Sequence, residues 1–154
     1  GMQEPEGRRL TGTHADFTLE QIESYVQRAI NSDDRATFII VDSGDERPVG
    51  EIVLMHIDTD NHNASVRVAL FDSVDFGKGY GTDAMRLMLK HAFETLNLHR
   101  VELDVFDFNP RAIHVYEKLG FKREGVLRDA LLWEGEYHDS IIMGILADEY
   151  FSLY

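Results

Sequence analysis

Residues 76–96 read FGKGYGTDAMRLMLKHAFETL. Gly77, Gly79 and Gly81 alternate with Lys78 and Tyr80, and then Met85, Leu89, Ala92, Phe93 and Leu96 recur on one helical face. Glycine accepts left-handed backbone and puts no side chain between the main chain and a ligand. The helix that follows adds its positive N-terminal end. The stretch therefore reads as a loop offering amides to a phosphate or diphosphate, with a tight strand-to-helix turn as the other reading of the same glycines. Its spacing is GxGxG. That is neither the GxxxxGK[ST] of a P-loop nor the GxGxxG of a dinucleotide fold, so ATP and NAD are not favoured.

Upstream of this loop the rhythm is that of strands. ATFIIVD (36–42), VGEIVLMHID (49–58) and ASVRVALFD (64–72) are separated by SGDERP (43–48) and TDNHN (59–63), two stretches of turn residues. Before them, TLEQIESYVQRAI (18–30) carries apolar residues at helical spacing, with Thr18 and Gln21 placed as a capping box. Downstream, HRVELDVF (99–106) is a strand with Val101, Leu103 and Val105 on one side. PRAIHVYEKLGF (110–121) opens on a helix-start proline and closes on Gly120 as a cap. KREGVLRDALLWEGEYHDSIIMGIL (122–146) reads as two strands about a Glu-Gly turn. The expected order is helix, three strands, helix, strand, helix, two strands. That is a mixed α/β (α+β) fold, with helices covering a largely antiparallel sheet.

The chain has 154 residues and 44% hydrophobic composition, which suits one domain with a real core. It divides into an N-terminal segment (1–17), where Gly1 ahead of Met2 reads as a tag remnant, and a single domain over 18–154. The absence of cysteine excludes disulfides, thiolate metal sites and cysteine nucleophiles. No stretch reads as a secretion signal or a membrane span, and a cytoplasmic address fits. A net charge of −13 argues against a nucleic-acid partner and suits a cationic substrate.

Taken jointly, FGKGYGTDAM, the strand after it, NPRAIHVYEKLGF (109–121) and the closing EGVLRDALLWEGEYHDSIIMGIL (124–146) resemble the GNAT superfamily of acetyl-CoA-dependent N-acetyltransferases. Within it the chain looks most like the branch of ribosomal-protein alanine acetyltransferases and bacterial spermidine N-acetyltransferases, over about residues 18–146. The resemblance implies that the backbone of Gly77, Lys78, Gly79, Tyr80 and Gly81 holds the pyrophosphate of acetyl-CoA. Phe76 stands where many members carry glutamine or arginine, which a backbone-mediated loop accommodates. The resemblance further implies that Ala69, Leu70 and Phe71 pair with the pantetheine arm, that Asn109 hydrogen-bonds it from the far side, and that Tyr116 gives a proton to the leaving thiolate. The family's usual first strand has no clear counterpart in residues 1–17.

The implied activity is transfer of an acetyl group to a primary amine by direct attack on the thioester. The acceptor is a small cationic amine or polyamine, or a protein N-terminal amine. A non-catalytic CoA-binding or interaction module of the same fold is the alternative. The residues leave the rest open. Tyr116 shares its helical face with Ala112, Ile113 and Leu119, so it reads as a core tyrosine as readily as an acid. The carbonyl-polarising amide is expected near Leu70 or Phe71. Glu51, His56, Asp58, Glu102 and Asp104 are candidate bases, none of them singled out, and His114 points away from the Tyr116 face. HIDTDNHN (56–63) reads as a polar turn and not a metal site, so no metal is expected. An uncapped sheet edge and the aromatic tail EYFSLY (149–154) offer surface to a second copy, making a homodimer the candidate assembly.

Overall fold

The structure, a computed structural model, describes residues 34–154. The expected helix over 18–30, the segment 1–17 and the question of a first strand lie outside the described residues. Three antiparallel strands come first: β1 (Ala36–Val41), β2 (Pro48–Asp58) and β3 (Asn63–Leu70). Each turn between them is tied by an aspartate. Asp42 Oδ1 accepts from the amides of Gly44 (2.8 Å) and Asp45 (3.2 Å), and Asp58 Oδ1 accepts from those of Asp60 and Asn61 (3.0 Å each). Of the polar stretch 56–63, His56 to Asp58 end β2 and residues 59–62 turn the chain.

The second half alternates helix and strand. A 3₁₀ turn (Ser73–Asp75) and the glycine loop lead into helix α1 (Tyr80–Lys90), followed by β4 (Arg100–Phe106), α2 (Pro110–Leu119), β5 (Lys122–Trp133) and β6 (Glu136–Leu146). Helix α2 begins where the sequence indicates, with Pro110 in the first turn and Asn109 as N-cap, and ends at Gly120 with φ 109°. Glu134 and Gly135, both at positive φ (50° and 80°), make the β5–β6 hairpin. The six strands lie in the order β1-β2-β3-β4-β6-β5, and only β3 and β4 run parallel.

Two features differ from the sequence reading. Beyond Lys90 the chain winds on as a π-turn (His91–Thr95), in which the Leu96 amide donates to the His91 carbonyl at 2.9 Å. That extra residue per turn rotates Leu96 off the apolar face. Leu96 is 37% exposed, whereas Met85, Leu89, Ala92 and Phe93 are buried. The closing residues form a further helix, α3 (Ala147–Leu153), entered where Glu149 Oε1 accepts the Leu146 amide at 3.0 Å. Tyr150 of α3 is buried against Phe93, the rings stacked 5.0 Å apart, and its hydroxyl bonds to Glu94.

Phe93 thus ties α3 into the core cluster, to which β4 and β6 supply Val101, Leu103, Val105, Ile141, Met143 and Ile145, and α2 supplies Ile113 and Leu119. Phe93→Ala leaves a cavity at that junction and costs about 3–5 kcal/mol. Thermal unfolding is expected to show a Tm lower by about 10 °C.

Candidate active site

The sheet opens in its middle. β3 and β4 pair only through Asn63, Ala64 and Ser65 with Arg100, Val101 and Glu102, then run on unpaired to Leu70 and Phe106. Each arm of the gap leads straight into a helix N-terminus: β3 into α1 through the glycine loop, β4 into α2 through Asn109. Two positive helix ends therefore flank one opening.

Ladder geometry decides which main-chain groups face this gap. The Phe71 amide donates to the Val49 carbonyl at 2.8 Å, one residue past the end of β3. Alternate residues of an antiparallel strand bond to the same side, so Phe71 and Ala69 spend their amides on β2, while Leu70 and Val68 present theirs to the gap. Of Ala69, Leu70 and Phe71, the register leaves the Leu70 amide for a ligand. It brings in Val68, which the sequence reading did not name.

Gly77 and Gly79 adopt φ of 78° and 90°, and Gly79 is the N-cap of α1, with no side-chain cap. Glycines make this left-handed path accessible. Among the described residues, the amides of Gly77, Lys78, Gly79, Tyr80 and Gly81 donate to no protein acceptor. Gly77, Lys78 and Gly79 are exposed, and a Cβ built on Gly79 meets nothing within 4 Å. The result is a solvent-facing cradle of unspent N–H donors, the form that an anionic diphosphate needs. From the α2 side, the Arg111 guanidinium lies against it: a Cβ on Gly77 would come within 2.7 Å of an Arg111 terminal nitrogen. Phe76 is half-buried, and its amide closes the 3₁₀ turn on the Ser73 carbonyl (3.0 Å) instead of joining the cradle.

The loop stands on contacts that span the sequence. Asp75, 1% exposed, accepts two 3.0 Å hydrogen bonds from the Arg47 guanidinium, and the Lys78 ammonium lies 3.8 Å from the same carboxylate. Arg47 holds the Asp75 carboxyl below the usual carboxylate range. The Tyr80 hydroxyl bonds to Asp42. That bond lowers the Asp42 carboxyl to about 2 and raises the Tyr80 phenol. Sequence reading named Lys78 and Tyr80 but missed Arg47, Asp42 and Asp75, because the bonded partners are 28 and 38 positions apart. The only local hint was a lone aspartate two residues ahead of the first glycine.

Asn109 Oδ1 accepts the Ala112 amide at 3.3 Å as the cap of α2, and among the described residues its amide nitrogen donates to no protein group. Two turns along α2, Tyr116 is half-buried, with its ring edge-on to Phe121 at 6.0 Å. Burial, with the Asp104 carboxylate adding to it, pushes its phenol up to about 12. Among the described residues, no protein group hydrogen-bonds to the hydroxyl. A phenol kept neutral, with its proton unspent, is a donor in waiting.

Of the candidate bases, Glu51 lies 3.7 Å from Arg67, Asp58 serves its turn, and Asp104 Oδ2 lies 3.4 Å from the Ser140 hydroxyl. His56 sits exposed at φ 53°, and His114 is exposed as expected. At the open end of β4 the structure adds a pair not anticipated: His138 Nδ1 lies 3.0 Å from Asp107 Oδ1, and Asp107 Oδ2 accepts the Asp139 amide at 3.0 Å. Beside it, Val126, Leu127, Arg128, Asp129 and Asp139 line a concavity of about 750 Å³, where the β5–β6 register breaks.

The chain is similar in sequence and fold to known proteins. Residues 2–122 match the acetyltransferase (GNAT) domain model. The uncharacterized, SPbeta prophage-derived N-acetyltransferase YokL of Bacillus subtilis is 29% identical over 143 residues, covering 93% of this chain and 79% of YokL. The spermidine N(1)-acetyltransferase of Vibrio cholerae is 28% identical over 133 residues, covering 86% and 76%. A crystal structure of spermidine N-acetyltransferase from Vibrio cholerae, in complex with CoA and spermine, superposes with a TM-score of 0.89 at 25% identity, covering 97% of this chain and 87% of that one. An opened sheet, an amide cradle on one arm and a neutral phenol on the other thus accompany the sequence match, and the chain belongs to the GNAT acetyltransferase family, an N-acetyltransferase with acetyl-CoA as its donor.

Proposed function

We propose that the chain acetylates a primary amine of a small cationic acceptor, a polyamine being the leading class. The observation that carries this is the gap between β3 and β4, with the Gly77–Gly81 amides on the loop after β3 and the Tyr116 hydroxyl on the helix after β4, none of them bonded to a protein group among the described residues. The Gly77–Gly81 amides hold the diphosphate of acetyl-CoA, with the Arg111 guanidinium close by. The main chain of Val68 and Leu70 pairs with the pantetheine arm, and the Asn109 side-chain amide donates to it from the α2 side. The Leu70 N–H polarises the thioester carbonyl, since the Phe71 amide is already spent on Val49. As the neutral amine attacks, the new N–C bond replaces C–S, and the proton that the nitrogen sheds in becoming an amide balances the one that the departing CoA thiolate takes up. Tyr116 stabilises the departing thiolate through a hydrogen bond that tightens as charge grows.

The acceptor class follows from charge. Asp104, Asp107, Asp129 and Asp139 gather at the end of the sheet where the gap opens, on a chain of net charge −13. A field of that sign concentrates cations. The spermidine enzymes among the relatives point the same way.

Thiol release from acetyl-CoA, measured over spermidine, spermine, N-terminal peptides and amino-acid amines, tests the reading. Polyamines are expected to exceed peptides in kcat/KM by about tenfold or more, falling as salt rises. Preference for a peptide N-terminus would overturn the polyamine assignment. Binding of acetyl-CoA without turnover of any amine would replace the enzyme with a CoA-binding module.

A further inference from the structure

A buried carboxylate directly behind a diphosphate cradle is an electrostatic problem. Asp75 is 1% exposed and stands two residues before Gly77, so its charge repels the anion that the loop is built to hold. The structure meets this from elsewhere in the chain. Arg47, on the turn between β1 and β2, puts two nitrogens on the two Asp75 oxygens at 3.0 Å each. This paired fork leaves Lys78 at 3.8 Å, beyond hydrogen-bond distance, with its ammonium half-exposed beside the glycines. The Tyr80–Asp42 bond fastens the same turn to the far side of the loop.

Resting on the reading of this loop as the diphosphate site, we propose that Arg47 is a positioning residue for the coenzyme: it neutralises Asp75 beneath the cradle and so frees Lys78 to face the diphosphate. Arg47 needs no contact with the ligand to do this. Without it, Asp75 is a buried anion whose only other recorded cation among the described residues is Lys78. The lysine then turns inward to Asp75, and the cradle loses one positive charge.

A pure brace and an electrostatic screen predict opposite behaviour for a double variant. CoA affinity by calorimetry is compared for the wild-type chain, Arg47→Met, Asp75→Asn and the pair together. On this proposal Arg47→Met weakens CoA about tenfold or more, as one uncompensated charge near a ligand does. Adding Asp75→Asn removes that charge and restores affinity to within about threefold of wild type, a strong non-additivity. The kcat at saturating acetyl-CoA changes little. Turnover of S-acetylpantetheine, which has no diphosphate, is unaffected by Arg47→Met.

A double variant as weak as the single, or an equal loss with S-acetylpantetheine, makes Arg47 a structural strut and overturns the proposal. Should Arg47→Met fail to fold, the double variant, which buries no lone charge, carries the comparison. Near-wild-type CoA affinity then supports the screen, and a tenfold loss overturns it. Failure of the wild-type chain itself to bind CoA would condemn the loop assignment instead, a separate result.

Discussion

Gly79→Val is expected to weaken coenzyme A binding at least about a hundredfold, or roughly 2.8 kcal/mol, with the fold intact. Two observations set the size. The position sits at φ 90° and ψ 0°, and a Cβ built there meets no protein atom within 4 Å. The protein has room for the side chain, so the only volume the valine takes is the ligand's. The left-handed backbone costs a branched residue about 1–2 kcal/mol, which the chain can relieve only by rotating the loop. Held in place, the side chain fills the cradle; relaxed, the amides of the first turn of α1 swing away. Both routes end binding.

Gly135→Val supplies the control. Gly135 is also at positive φ (80°) with nothing near its Cβ, but it lies in the β5–β6 turn. It is expected to lose similar stability and keep its affinity. Unchanged CoA affinity in Gly79→Val, by calorimetry on a protein with a normal melting curve, would falsify the diphosphate assignment.

Much of the architecture was legible because it is local. Alternation in 64–70, the proline and glycine bracketing 110–120, and the Glu-Gly turn at 134–135 each encode their own backbone, and each appears where the spacing puts it. The glycine loop was legible for the same reason: the left-handed backbone at Gly77 and Gly79 favours glycine over any residue with a Cβ. What failed locally failed for a stated cause. A single π-turn at His91–Thr95 broke the helical count and put Leu96 outside. The EYFSLY stretch was too short to announce a helix, yet most of it lies in α3, and Tyr150 stacks on Tyr154 at the helix's C-cap, 4.8 Å away.

The functional part was legible only as far as backbone chemistry reaches. No pattern in 63–70 or 100–106 says that two parallel strands bond for three residues and then separate, though that separation is what makes room for a ligand. Nor can a sequence read alone connect Arg47 with Asp75, or Asp107 with His138, because nothing in either neighbourhood needs the other until the chain is folded. The assignment of Ala69, Leu70 and Phe71 named a stretch of chain without its phase. Register against β2 decides which amides are free, and register is a property of two strands.

Tyr116→Phe is expected to lower kcat about a hundredfold or more while leaving CoA affinity unchanged. The argument runs from packing to protonation. The ring makes its contact with Phe121 through its edge, and phenylalanine keeps that shape, so neither fold nor coenzyme site should respond. What disappears is a hydroxyl with no protein partner among the described residues, on a phenol raised by burial to about 12. Against an ordinary thiol near 8.5, outright proton transfer is well uphill, so the contribution is a hydrogen bond that strengthens as the thiolate forms.

The pH dependence follows with a definite sign. Because the folded value lies above the unfolded value near 10, the phenol stays protonated through the working range. The ratio of wild-type to variant kcat should therefore be flat from pH 7 to 9.5. The stability tied to this group is whole below pH 10 and is lost as pH climbs toward about 12, a loss that Tyr116→Phe should escape. A ratio that collapsed between pH 7 and 9 would mean that the phenolate forms early and that burial does not protect the proton. An unchanged kcat would move the acid elsewhere and leave Tyr116 to the core.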